Sequence, residues 1–159
     1  MKILGIDPGT ARAGWAIIAK ENGITNLIAY GCITTSPTQS VEGRLLSLYK
    51  DIQKILVTYA PDIVVVEDLF FATNAKTAIV VAQARGVLLL AAADHHLSVV
   101  SYSPPAIKLA VAGYGKAEKI QVQKMVMHTL KLTELPQPDD AADAVAVALT
   151  HSFTERMKK

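Results

Sequence analysis

The six residues Asp62-Ile63-Val64-Val65-Val66-Glu67 constrain this chain more than any other stretch. A continuous β-branched run without polar alternation marks a central strand buried on both faces of a sheet. Such a strand needs layers above and below it, and the flanking sequence supplies both strands and helices. Upstream, Lys2 to Asp7 is short, apolar and stopped by Pro8-Gly9. Arg12 to Ala19 and Ile24 to Thr34 are β-rich runs separated by Glu21-Asn22-Gly23, whose Asn-Gly pair signals a hairpin. A meander of antiparallel strands is expected there. From Val41 the period becomes helical: Leu45, Leu48, Ile52, Ile55, Leu56 and Tyr59 share one face, opposite Arg44, Lys50, Asp51 and Lys54, and Ala60-Pro61 ends the helix.

Downstream of Glu67, a helix is predicted from a cap near Asn74 to about Asp94. It is apolar nearly all round from Ile79 to Ala93, so it is either sandwiched in the core or shared with another subunit. Arg85 inside it reads as an interface residue or a core ion pair, and the sequence does not choose. Leu97 to Ser101 is a short fifth strand. A short helix follows Pro104-Pro105 to about Ala112. The next helix, from about Ala117, has Val122, Met125, Val126, Thr129 and Leu130 on one face, and the last runs from Asp139 to about Phe153. This order describes one α/β layer domain over residues 1–159 with a mixed sheet. At 51% hydrophobic residues, disorder is not expected. The lone Cys32 builds no disulfide framework, and the first residues hold no apolar stretch of signal-peptide length, so a cytoplasmic location is expected. Ala78 to Ala93 is short of a membrane span and is interrupted by Gln83 and Arg85.

Four acids fall where an acid is awkward for folding alone. Asp7 closes the first strand, Glu67 closes the buried fourth strand, and Asp140 and Asp143 lie at i and i+3 in the first turn of the last helix, on one face of it. Singly each has an ordinary explanation: a turn residue before Pro8-Gly9, a solvated strand end, or a cap and dipole partner at Asp139 or Asp140. If strands one and four are neighbours, all four converge. Two carboxylates about 4 Å apart repel by roughly 4 kcal/mol at an effective dielectric near 20, so such a cluster must hold protons or cations. Hard oxygen donors without Cys or His suit Mg²⁺ or Mn²⁺, and two such ions can clamp the attacking water and leaving oxygen of a phosphodiester. His95, His96 and His151 have no metal-ligand spacing, and Trp15 and Cys32 read as packing residues.

Gly5-Ile6-Asp7-Pro8-Gly9-Thr10, Val66-Glu67-Asp68-Leu69-Phe70, Gln83-Ala84-Arg85-Gly86-Val87, Gly113-Tyr114-Gly115-Lys116-Ala117-Glu118-Lys119 and Asp140-Ala141-Ala142-Asp143-Ala144 together resemble the RuvC family of Holliday junction resolvases. Sugar kinases and actin-like ATPases open similarly, but they need a second, duplicated domain that 159 residues cannot hold. The resemblance implies a ribonuclease-H-like fold, with a central five-stranded mixed sheet of three antiparallel then two parallel strands flanked by helices. It also implies a homodimer making paired, Mg²⁺-dependent nicks in four-way junction DNA. Its catalytic, metal-holding acids map onto Asp7, Glu67, Asp140 and Asp143. The branch-migration proteins RuvA and RuvB are candidate partners, and no membrane is involved.

The net charge of +2 is uninformative about DNA, but its distribution is not. Between Ser103 and Lys131 lie five lysines and one acid. Lys116 and Lys119 flank a helix start, where a cation is unfavourable unless an anion also binds. By similarity to the family, Lys108 and Lys119 contact phosphates, with Lys116 as this sequence's own addition and Arg12 as a further candidate; the plain alternative is a solvated polar face. Phe70 matches the family's loop aromatic and is expected to stack on an unpaired base at the opened junction. Two other readings remain: a ribonuclease-H-like nuclease acting on structured RNA, of the ribosomal-RNA-processing type, and a junction binder without catalysis, which would be expected to lack some of the acids.

Overall fold

The computed structural model describes residues 1–69 and 75–155. Strand β1 (Lys2–Asp7) lies at the centre of a five-stranded sheet. It runs antiparallel to β2 (Arg12–Glu21), which pairs antiparallel with β3 (Ile24–Thr34). On its other side β1 runs parallel to β4 (Ile63–Glu67), which is parallel to β5 (Ser98–Tyr102). The spatial order β3-β2-β1-β4-β5 is the ribonuclease-H-like arrangement expected. The hairpin forms at Asn22 and Gly23, with φ of 50° and 81°, the positive values that a tight two-residue turn requires. Its tight closure carries β2 on through Lys20 and Glu21, two residues past the predicted end, because these pair with Thr25 and Ile24.

Val64, Val65 and Val66 are all at most 1% exposed, and they face opposite sides. Val64 and Val66 join Leu4, Ile6 and Ile17 under α1 (Val41–Tyr59) and α2 (Ala75–Asp94). Val65 joins Ile3 and Ile18 under α5 (Asp139–Thr154), which is flanked by α3 (Pro104–Ala112) and α4 (Lys119–Leu130). Each such side chain contributes about 1.5–3 kcal/mol through burial, so β4 is anchored from both layers.

Two glycines bring α5 unusually close to the sheet. A Cβ at Gly5 would stand 2.3 Å from the Ala144 carbonyl oxygen, and one at Gly14 would stand 1.8 Å from that of Asp140. The main chain of α5 therefore rests directly on β1 and β2, with Ala141, Ala142 and Ala144 buried beneath it. The predicted cap at Asp139 or Asp140 is not formed: Pro138 occupies the N-cap, and both acids stand inside the first turn. Helix α4 starts at Lys119, later than Ala117, because Glu118 and Gln121 form a reciprocal capping box. Met125, expected on its inward face, is 39% exposed. Leu97 closes α2 through a bond from its N–H to the Ala92 carbonyl, which shifts β5 one residue along. Helix α2 is two-sided: Ala84, Leu88, Ala91 and Ala92 enter the core, while Ile79 and Leu90 are 60% and 61% exposed. The predicted cap at Asn74 lies outside the described residues. No helix among the described residues is long and apolar enough to cross a membrane.

Candidate active site

Parallel pairing sets the first half of the site. Ile6 is in register with Val66, so Asp7 and Glu67 leave adjacent strands at the same level. Burial, followed by the charges of Glu67 and Asp143, pushes the Asp7 carboxyl up to about 8. Burial raises Glu67 as well, opposed by its hydrogen bond with Asp7 and by the charges of Lys108 and Lys119. The hydrogen bond between the two raises Asp7 and lowers Glu67, the pattern of an Asp7 O–H donating to the Glu67 carboxylate.

The second half comes from α5. Asp140, in the first turn, and Asp143, just beyond it, are on one face of the helix, as their spacing predicts, and each meets a cation. Arg12 Nε, at the start of β2, lies 2.9 Å from Asp140 Oδ2. Lys119 Nζ donates to Asp143 Oδ2 at 2.8 Å and lies 3.3 Å from Asp139 Oδ2. Burial works against the Lys119 ammonium, yet the hydrogen bond and charge of Asp143, then those of Asp139, hold it above the ordinary lysine value. Asp7 feels the other three predicted acids, since Glu67, Asp143 and Asp140 each raise it.

An all-carboxylate donor set fits a hard divalent cation. Among the described residues no three acid, histidine or cysteine side chains already stand as a coordination cage. Arg12 and Lys119 occupy oxygens that such a cage would use.

A cavity of about 250 Å³ opens beside the acids, with Glu67, Asp143, Lys108 and Lys119 around it and Ile107 and Val122 in its wall. Lys108 thus reaches the site. Lys116 is exposed on the turn before α4. Phe70 lies outside the described residues. Arg12 was a candidate for DNA, and its pairing with Asp140 carried no signal in the sequence, because it depends on where α5 crosses β2. Of the histidines, His95 bonds to Gln53 and His151 to the Tyr102 hydroxyl.

The sequence profile of the crossover junction endodeoxyribonuclease RuvC family matches residues 3–151. The chain is 47% identical to the crossover junction endodeoxyribonuclease RuvC of Alkaliphilus oremlandii over 99% of each chain. It is 49% identical to that of Syntrophomonas wolfei, over 99% of this chain and 91% of the relative. In three dimensions it is similar to Thermus thermophilus RuvC in complex with a Holliday junction substrate, with a TM-score of 0.93, 36% identity, and 99% and 96% of the two chains covered. The protein therefore belongs to the RuvC family of crossover junction endodeoxyribonucleases.

Proposed function

We infer that the protein is a Holliday junction resolvase, hydrolysing phosphodiester bonds in four-way DNA junctions during recombination and repair. The observation that carries this reading is the convergence of Asp7, Glu67, Asp140 and Asp143 from two strands and a helix, in a chain that matches the resolvase family along nearly its whole length. A noncatalytic binder has no use for four mutually repelling acids. The structured-RNA alternative finds no support among the family and structural matches.

Asp7, Glu67, Asp140 and Asp143 would hold two Mg²⁺ ions, with Mn²⁺ suited to the same oxygens. Bound there, the ions supply Lewis-acid stabilisation and an activated water for hydrolysis. The chain's own residues do the rest. Asp7 gives up its proton so that all four carboxylates can serve as ligands. Lys108 and Lys119, beside the cavity next to the acids, engage phosphates of the cleaved strand, and Lys116 adds a contact on the preceding turn. Phe70 stacks on a base exposed at the opened junction.

Two symmetric cuts call for two sites, hence two chains. The outer face of α2 supports a homodimer: Ile79, Gln83, Gly86 and Leu90 recur at helical spacing and are exposed. Gly86 is the telling member, since an added Cβ there would meet nothing within 4 Å in its own chain. A glycine in a helix interior costs about 1 kcal/mol relative to alanine, and close approach of a second helix accounts for it.

The test is a Mg²⁺-dependent nicking assay that offers four-way junction, duplex and structured RNA side by side. Paired symmetric nicks in the junction alone are expected, and cleavage of RNA alone would overturn the reading.

A further inference from the structure

Arg85 is the sole charged residue between Ile79 and Ala93 of α2, and its side chain is only 20% exposed. Its Nη2 donates to Ser101 Oγ at 2.8 Å and lies 3.2 Å from Asp68 Oδ1. Its Nε is buried without a hydrogen-bond partner among the described residues. Burying a guanidinium that is incompletely paired is unfavourable, and an apolar residue of similar volume at such a place is often neutral or stabilising. Folding alone does not explain the arginine.

The two residues it grips explain it better. Asp68 directly follows Glu67, and Ser101 sits on the neighbouring strand β5. The exit of β4 is already tied to that strand, because the Asp68 N–H bonds to the Tyr102 carbonyl at 2.8 Å. The Asp68 carboxylate also accepts from the Leu69 N–H at 3.1 Å, so the side chain held by Arg85 is the one that shapes this turn. Helix α2 is pinned to the other strand acid too: the Thr10 hydroxyl, three residues after Asp7, donates to the Val80 carbonyl at 2.8 Å. One helix thus contacts the chain just beyond each of the two buried carboxylates.

We propose that Arg85 is a positioning residue, which clamps Asp68 and Ser101 together and thereby fixes the direction in which Glu67 presents its carboxylate. The inference rests on the metal-dependent reading of the acid cluster. Because α2 also carries the outward face assigned to a second copy, the clamp links that face to Glu67 through a single side chain.

The test compares Arg85→Met, Arg85→Lys, Asp68→Asn and the double variant Arg85→Met/Asp68→Asn with the parent. Free Mn²⁺ is followed by electron paramagnetic resonance without DNA, and kcat and KM are measured on a four-way junction. Arg85→Met is expected to weaken Mn²⁺ binding about 10-fold, the usual consequence of removing support behind a ligand. It is also expected to lower kcat about 10–100-fold with KM nearly unchanged, while the thermal midpoint stays within roughly 3 °C of the parent. Arg85→Lys should recover part of both losses, and the double variant should be no worse than the poorer single one. Asp68 is half-exposed, so Asp68→Asn keeps the test open should Arg85→Met fold poorly. Parental Mn²⁺ affinity and kcat per folded molecule in the single variants would overturn the proposal, as would losses that multiply in the double. A parent that binds Mn²⁺ but leaves junctions intact would instead overturn the resolvase reading, with the Mn²⁺ comparison still deciding the role of Arg85.

Discussion

Asp7 and Glu67 end two buried strands, whereas Asp140 and Asp143 stand 30% and 35% exposed near the start of a helix. The strand pair answers its mutual repulsion with a proton. The helix pair answers with side chains, Arg12 on one acid and Lys119 on the other. Burial decides which remedy is used: a carboxyl withdrawn from water is most readily neutralised by protonation, whereas a partly exposed one can take a long basic side chain whose charged head stays near solvent. The two halves should therefore respond to different perturbations, the strand pair to pH and the helix pair to salt and to loss of its cations.

Replacing a strand acid should break the comparison most sharply. Asp7→Asn is expected to lower junction nicking on the order of 1,000-fold or more, because a ligand and a negative charge are lost together. In the metal-free protein the same change should raise the thermal midpoint by roughly 5 °C near pH 7.5, since the repelling carboxyl is gone. Scanning calorimetry in EDTA beside the nicking assay reads both, and a variant that nicks like the parent contradicts the assignment.

A pH series should separate the halves next. Asp7 titrates near 8 when folded and at 3.8 as an ordinary carboxyl, so between these values the folded chain keeps a proton that the unfolded chain has released. Its contribution is complete below about pH 4 and is lost as pH climbs toward 8, at up to about 1.4 kcal/mol per pH unit. Urea unfolding of the metal-free parent at pH 5, 6.5 and 8 should show this decline, Asp7→Asn should flatten it, and Asp140→Asn should leave it standing. An equal decline in Asp7→Asn would place the proton elsewhere.

The smallest effect belongs to the cations of the helix pair. Lys119→Gln should lower the metal-free thermal midpoint by no more than about 2 °C, since half-exposed ion pairs are weak and solvent-screened. Adding 0.5 M NaCl, roughly a 4 Å Debye length, should erase the difference. A large drop that persists in salt would mean that Lys119 packs rather than pairs.

The readable parts of this chain were those in which local pattern and global fold agree. Val64 to Val66 lack alternation because both faces are covered, and Asn22-Gly23 can do little except turn. The acids were legible for the opposite reason, since Asp7, Glu67 and Asp143 sit where a folding sequence would avoid charge. Contacts between distant segments were not legible. Arg12 meets Asp140 only because α5 crosses β2 at Gly14, and Arg85 meets Asp68 only because α2 lies over the end of β4. Helix α2 has one side in the core and the other outward, and a sequence apolar all round does not tell the two sides apart. The start of α4 was misplaced because Ala117 has high helix propensity, while the capping box that sets the boundary lies between Glu118 and Gln121.

Where α5 rests on β1 and β2, the spacing is set by two missing methyl groups, one at Gly5 and one at Gly14. At Gly14 main chain bears on main chain, so no rotamer exists that could soften the contact, and Asp140 inherits the stiffness of the sheet. A single added carbon there would act as a shim under the helix, lifting its first turn away from strands that stay where they are. A displacement of about 1 Å at a reacting centre can cost on the order of 100-fold in rate. The tolerance of the proposed catalytic geometry is thus written into a residue that has no side chain.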